Sequence, residues 1–278
     1  MKIIVWKRKK LSLLAGALAL GLLCYAAVYP FAAGAYATDR PLPVYCVDRG
    51  QQKICSISFD AAWGNEDTQA LIDILGKYQV KATFFVVGDW AEKYPESVKA
   101  LADAGQEVMS HSNHHDHYNS LSAEQIAADL RSANERIQAA SGVCPTLIRC
   151  PYGEYDDHVI RAIRACGMEP IQWDVDSLDW KGISASEITE RVTARVKPGS
   201  IVLFHNAAEH TPEALPAILE CLLSKGYRVV PISRLILPGR CGRDYTIDHT
   251  GRQLPKTADA VTSAAQSAAK AASSRPED

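Results

Sequence analysis

Between Pro43 and Leu237, apolar runs of strand length alternate with stretches of helical periodicity, and this alternation constrains the fold most. Strands separated by helices through short connections lie parallel, with the helices packed outside the sheet. Ile54 to Phe59, Ala82 to Val87, Glu107 to Ser110, Leu147 to Arg149, Met168 to Trp173, Ser200 to Phe204 and Tyr227 to Pro231 read as strands. Between them, one helical pattern carries Leu71, Leu75 and Tyr78 on one face, and others run over Glu96 to Ala104, Asp157 to Cys166, Ser186 to Val196 and Pro212 to Lys225. Ser122 and Gln125 form a capping box that opens a helix with Ile126, Leu130, Ala133 and Ile137 along one stripe. Such a set of units predicts an α/β fold, a closed or nearly closed (β/α) barrel, with an open doubly wound sheet as the alternative.

The ends of the chain differ from this region. Lys2, Lys7, Arg8, Lys9 and Lys10 precede an uncharged Leu-, Ala- and Gly-rich run from Leu11 to Val28. A run of roughly 18–20 residues is long enough to cross a bilayer core. Ala35-Tyr36-Ala37 has the small-x-small form of a signal-peptidase site. Residues 1–37 are therefore expected to be a membrane anchor or a cleaved signal peptide. Either places the rest of the chain outside the cytoplasmic membrane, because basic residues stay inside. The catalytic domain is expected over residues 43–237. The tail, residues 255–278, is rich in Ala, Ser and Thr and cannot bury a core.

Composition narrows the function classes. A formal net charge of -2 gives no support for a nucleic-acid partner bound through a basic surface. Eight cysteines suit an oxidising compartment. Cys46 and Cys55 flank Asp48-Arg49-Gly50, so a hairpin there would bring them face to face.

The chemistry collects after the strands. Asp60, His111 with His115, Arg149, Asp174 with Asp176 and Asp179, and His205 each follow a strand-like run. In a parallel barrel the C-terminal strand ends meet on one face, where active sites are built. His111-Ser112-Asn113-His114-His115-Asp116-His117 places four histidines in seven residues, which suggests a metal. His111 and His115 converge if the segment makes one helical turn. Asp60, at the mouth of an apolar interior, is a candidate general base or a helix N-cap. His205 is a candidate general acid or a core histidine, and Arg149 a catalytic or a structural ion-pair partner.

These residues resemble the polysaccharide deacetylase family, the carbohydrate esterases with a NodB-type domain. Ser58-Phe59-Asp60 resembles the first motif and His111-Ser112-Asn113-His114-His115 the metal motif. Arg149-Cys150-Pro151-Tyr152-Gly153, Asp176-Ser177-Leu178-Asp179-Trp180 and Ile201-Val202-Leu203-Phe204-His205 resemble the third, fourth and fifth. The resemblance implies a deformed (β/α) barrel that removes N-acetyl groups from a polysaccharide such as peptidoglycan or a chitin-like polymer. It implies a divalent metal, zinc-like from its imidazole ligands, on His111 and His115. Asp60 would then be the base oriented by Arg149, His205 the acid held by Asp179, and the backbone N–H of Tyr152 an oxyanion donor. Tyr152 and Trp180 would shape the substrate pocket. One position departs from the family. Its first motif carries two adjacent aspartates, base then metal ligand, and here the second is Ala61. Asp67 or His117 is the expected substitute ligand. The alternatives are an O-deacetylase, a small-amide hydrolase of the same fold, and a carbohydrate-binding or developmental protein that has lost turnover.

Overall fold

The computed structural model describes residues 40–256. The expected anchor or signal over residues 1–37, and all but the first two residues of the expected tail, lie outside the described residues. No helix among the described residues is long and apolar enough to cross a membrane.

In chain order the elements are β1 (Cys46–Val47), β2 (Ile54–Ala61), α1 (Thr68–Lys77), β3 (Thr83–Val86), α2 (Gly88–Lys93), α3 (Pro95–Asp103) and β4 (Glu107–Ser110). There follow α4 (Ala123–Ser141), β5 (Leu147–Ile148), α5 (Asp157–Ala165), β6 (Glu169–Pro170), β7 (Val175–Asp176), α6 (Ala185–Arg195) and β8 (Ile201–His205). The last are α7 (Thr211–Ser224), β9 (Arg228–Val229), α8 (Ile232–Leu235), β10 (Tyr245–Ile247) and β11 (Arg252–Pro255). Seven parallel strands form a curved sheet in the order β6-β5-β4-β3-β2-β8-β7, and β9 pairs with the start of β2. This is the deformed (β/α) barrel, open between β6 and β7.

Strand β2 shows how sequence becomes layers. Side chains alternate faces along a strand. Cys55, Ile57 and Phe59 therefore point outward, into the apolar layer that Leu71, Leu75, Val98, Val202 and Leu215 share. Phe59 stacks there on Phe84 and Phe204, with ring centroids 4.7 and 5.6 Å away. Ser56, Ser58 and Asp60 take the inner face. Both hydroxyls are satisfied there, Ser56 Oγ donating to the Val230 carbonyl and Ser58 Oγ to that of Val202, each at 2.7 Å. A smaller inner core of Ile54, Phe85, Met109, Ile171 and Ile201 closes the barrel below them.

Two expectations are corrected. The Met168–Trp173 run does not form one strand: it yields β6, and the two-residue β7 begins beyond it. Asp174 consequently precedes β7, where it accepts from Ser200 Oγ and Ile201 N at 2.8 Å each, at the start of β8. It lies at the opposite end of the strands from the other candidates. Likewise, β1 does not form a hairpin with β2. It pairs with β11 in a small sheet, β1-β11-β10, and Cys46 and Cys55 are both free thiols. Burial pushes these thiols up, Cys46 to about 11 and Cys55 to about 12.

Candidate active site

Asp60 and His205 are direct partners across the β2–β8 ladder, so register alone sets the first two groups side by side. Arg149 arrives from the end of β5. Its Nη1 donates to Asp60 Oδ1 at 2.7 Å, and its Nη2 to Ser58 Oγ at 2.9 Å and the Gln172 carbonyl at 3.2 Å. The guanidinium is wholly buried, with the Phe85 ring centroid 4.3 Å away and that of Trp173 at 5.4 Å. Such a cation is tolerated because a carboxylate, two oxygen acceptors and two ring faces replace its water. Burial alone would raise the Asp60 pKa. Arg149, with help from His111 and His205, reverses this and holds it below the ordinary carboxylate range. Asp60 is therefore a carboxylate held ionised inside β2, not a helix N-cap.

His205 is organised from its other ring nitrogen. Asp179 begins a one-turn 3-10 helix, Asp179–Lys181, and is buried. Its Oδ1 accepts from His205 Nδ1 at 2.8 Å. Its Oδ2 accepts from the His205 backbone N–H at 2.8 Å and from Thr211 Oγ1 at 2.7 Å. A carboxylate only accepts, so Nδ1 carries a proton and Nε2 is the exchanging atom. Burial alone would lower the His205 pKa, but the Asp179 hydrogen bond and the charges of Asp60 and Asp179 raise it. The Asp179 pair thus favours the charged form of the imidazole beside the carboxylate that Arg149 holds ionised.

His111 and His115 converge, though not through a helical turn. Ser112 and His115 have φ of 71° and 61°, and Ser112 Oγ accepts from the His115 N–H at 2.9 Å. This tight turn sets the two rings edge to face, centroids 4.9 Å apart. His111 Nδ1 donates to the Arg149 carbonyl at 2.7 Å, which leaves a lone pair on Nε2, 3.6 Å from Asp60 Oδ2. Burial lowers both imidazole pKa values, that of His115 to about 4 with repulsion from His111 adding to it. The loop is tied down by Asp129 of α4, which accepts from the Asn113 N–H and the Tyr118 hydroxyl. Sequence reasoning missed Asp129 and Thr211. A lone polar side chain on a helix or strand carries no sign of which distant loop it will hold.

The third ligand is where expectation fails. His117 Nδ1 lies 2.8 Å from Glu154 Oε2, and its ring stacks on Tyr152 at 4.2 Å. Asp67 Oδ2 accepts from the Ala207 N–H at 2.8 Å. Among the described residues no group of three His, Cys, Asp or Glu side chains is placed to hold a metal. Two neutral imidazoles suit zinc, but Asp60 is already paired with Arg149, and a buried methyl stands where the family has its carboxylate. The residues therefore do not fit a three-ligand centre. Ala61→Asp is expected to tighten zinc binding by about 10–100-fold, as ligand and near-ligand changes commonly do. Zinc should also raise the melting temperature of this variant, since Ala61 is buried and an uncoordinated carboxylate there would cost stability. Calorimetric titration of wild type, A61D, D67A and H117A would test this. A drop in zinc affinity for D67A or H117A would restore the substitute-ligand expectation.

Tyr152 and Trp180 flank this centre, 57% and 52% exposed. Tyr152 meets His115 edge to face at 4.5 Å, and Trp180 directly follows Asp179. Among the described residues, six non-glycine residues have positive φ. Five of them, Ser112, His115, Tyr152, Leu178 and Ala207, lie in the loops that build this site. Such backbone costs of order 1–3 kcal/mol each, and it tends to collect where function fixes the geometry.

Comparison with known proteins agrees with this geometry. The family described as Polysaccharide deacetylase matches residues 48–171. A peptidoglycan-N-acetylglucosamine deacetylase of Bacillus cereus is 32% identical, over 64% of this chain and 66% of that protein. A peptidoglycan-N-acetylmuramic acid deacetylase of Bacillus subtilis is also 32% identical, over 66% of this chain but 39% of its own length. The chain thus spans two thirds or less of these curated relatives. A crystal structure of a CE4 family pseudoenzyme from Bacillus anthracis superposes with a TM-score of 0.67 at 34% identity, over 70% of this chain and 69% of that one. A mutant of that pseudoenzyme described as having restored enzymatic activity superposes equally well, with a TM-score of 0.67 and 35% identity. With the strand-end motifs, the barrel and these similarities in agreement, this chain belongs to the polysaccharide deacetylase family.

Proposed function

We propose that the chain is a hydrolase that removes N-acetyl groups from the amino sugars of a cell-wall polysaccharide, releasing acetate and a free amine. One observation carries this reading. A carboxylate paired with Arg149 and an imidazole hydrogen-bonded to Asp179 stand on adjacent strands, at residues in direct register. Amide hydrolysis needs both, a base for the attacking water and an acid for the departing nitrogen. Asp60 takes the proton from water with its free Oδ2, while Arg149 fixes the orientation of the carboxylate. The backbone N–H of Tyr152 receives the oxyanion of the tetrahedral intermediate. His205 then gives its Nε2 proton to the amine. The basic head and apolar run at residues 2–28 support an extracytoplasmic, membrane-tethered or secreted location, where such a polymer is met.

Acetate release from peptidoglycan and from chitin oligomers, compared between wild type and D60N, tests the reading. Equal release by both proteins would remove it. A second reading is favoured by Ala61 and by the pseudoenzyme among the structural relatives: a carbohydrate-binding protein with little turnover. It predicts saturable glycan binding with no acetate above background.

A further inference from the structure

Four large apolar side chains are exposed among the described residues, and three of them, Trp63, Tyr152 and Trp180, lie on the strand-end loops of the site. The motif resemblance covers Tyr152 and Trp180. It does not cover Trp63, which is 53% exposed and stacks nearly parallel on the His205 imidazole, centroids 5.6 Å apart and planes 18° apart. This exposure does not belong to a loose loop. Buried Asn206, which follows His205, accepts from the Ala62 N–H at 3.1 Å and the Trp63 N–H at 3.5 Å, and its amide donates to the Gly64 carbonyl. Trp90 Nε1 donates to the same carbonyl at 3.0 Å. Asp67, accepting from Ala207 N, ties the far side of the loop to the same segment. The backbone around Trp63 is thus fastened to the residues directly after the candidate acid, and one indole face is seated on the acid itself.

A tryptophan immobilised this way and left half in water already has its ordering cost met, so a flat apolar ligand can bind its open surface without further penalty. Around this centre the ligand is a pyranose, whose axial C–H face is apolar while its rim of hydroxyls stays wet. An amphipathic ring of this kind suits an indole plane. Trp63 stacks on His205 and the Trp180 backbone N–H donates to Asp179, whereas Tyr152 lies against His115 and His117. Aromatic rings thus stand against His205 on one side and against His115 and His117 on the other, so more than one sugar could meet an aromatic surface.

Resting on the deacetylase reading above, we propose that Trp63 is a specificity-determining residue, a stacking platform on the acid side that holds the sugar next to the one attacked. The site would thereby select an N-acetylated oligomer over a monosaccharide or a small amide. The test is isothermal titration of the whole chain with N-acetylglucosamine and with its tetramer, using wild type, W63A and W63F, alongside acetate release. Wild type should prefer the tetramer. W63A should lose about tenfold in tetramer affinity, the order of one aromatic contact, and most of the preference, with the loss appearing in KM more than in kcat. W63F should retain most of both. A tetramer preference unchanged in W63A would overturn the platform and leave the deacetylase reading standing. Loss of affinity in W63A that W63F does not recover would overturn stacking as its cause. Acetate release by wild type without any oligomer preference would overturn the platform alone. Neither binding nor release would end both readings.

Discussion

Asp60→Asn should lower acetate release by about 10²–10⁴-fold, the usual contribution of a positioned base, and should destabilise the fold as well. Both effects come from one contact. The carboxylate is the only acidic group bonded to the buried Arg149 guanidinium among the described residues, at 2.7 Å. Removing one partner of a buried ion pair costs about 3–5 kcal/mol, because the other charge is left uncompensated. Chemical denaturation and single-turnover acetate assays separate the two effects. Adding Arg149→Met to Asp60→Asn should recover stability and leave activity lost. A stable, active D60N protein would place the base elsewhere. The pH dependence has a fixed sign. Asp60 titrates below its unfolded value, so its stabilisation is present above the ordinary carboxylate range and disappears as pH falls through the depressed pKa.

The second large effect belongs to the acid. His205→Ala should cost about 10²–10⁴-fold in turnover and some stability as well, since buried Asp179 loses its imidazole partner and keeps only the backbone N–H of residue 205 and Thr211 Oγ1 as donors. Asp179→Asn is the more informative change. Burial pulls the His205 pKa down, and Asp179 is foremost among the groups that pull it up. Without that carboxylate, burial dominates. The limb on which activity falls with rising pH should then move to lower pH, and kcat should fall across the range. In wild type that limb lies above the ordinary imidazole value of 6.5, because the folded pKa is raised. The same raised pKa means that the ion pair stabilises the fold below the unfolded value, and the contribution is lost as pH rises through the folded one. A pH–rate profile with the same limb in D179N and wild type would show that His205 is not the titrating acid.

The chain announced its architecture locally. Alternating apolar runs and helical stripes fixed a parallel sheet with outer helices, because each element must bury one face. The capping box at Ser122 marked a helix start that the structure reproduces. Polar residues after apolar runs located Asp60, His111, Arg149, Asp179 and His205, since a charged side chain at the end of a buried strand has few other reasons to be there. Length was the limit of that signal. Two-residue β7 offered no periodicity, so Asp174 was grouped with Asp176 and Asp179 although it lies at the other end of the strands. Only the tertiary structure decided the pairings. Arg149 reaches Asp60 across 89 residues of sequence, and His205 reaches Asp179 across 26, through strand order and register that no local pattern encodes. The same holds for His117 and Asp67. Glu154 takes His117 Nδ1 and the Ala207 N–H takes one Asp67 oxygen, contacts that no local pattern announces. A sequence states which groups are available, and packing determines which neighbour each one meets.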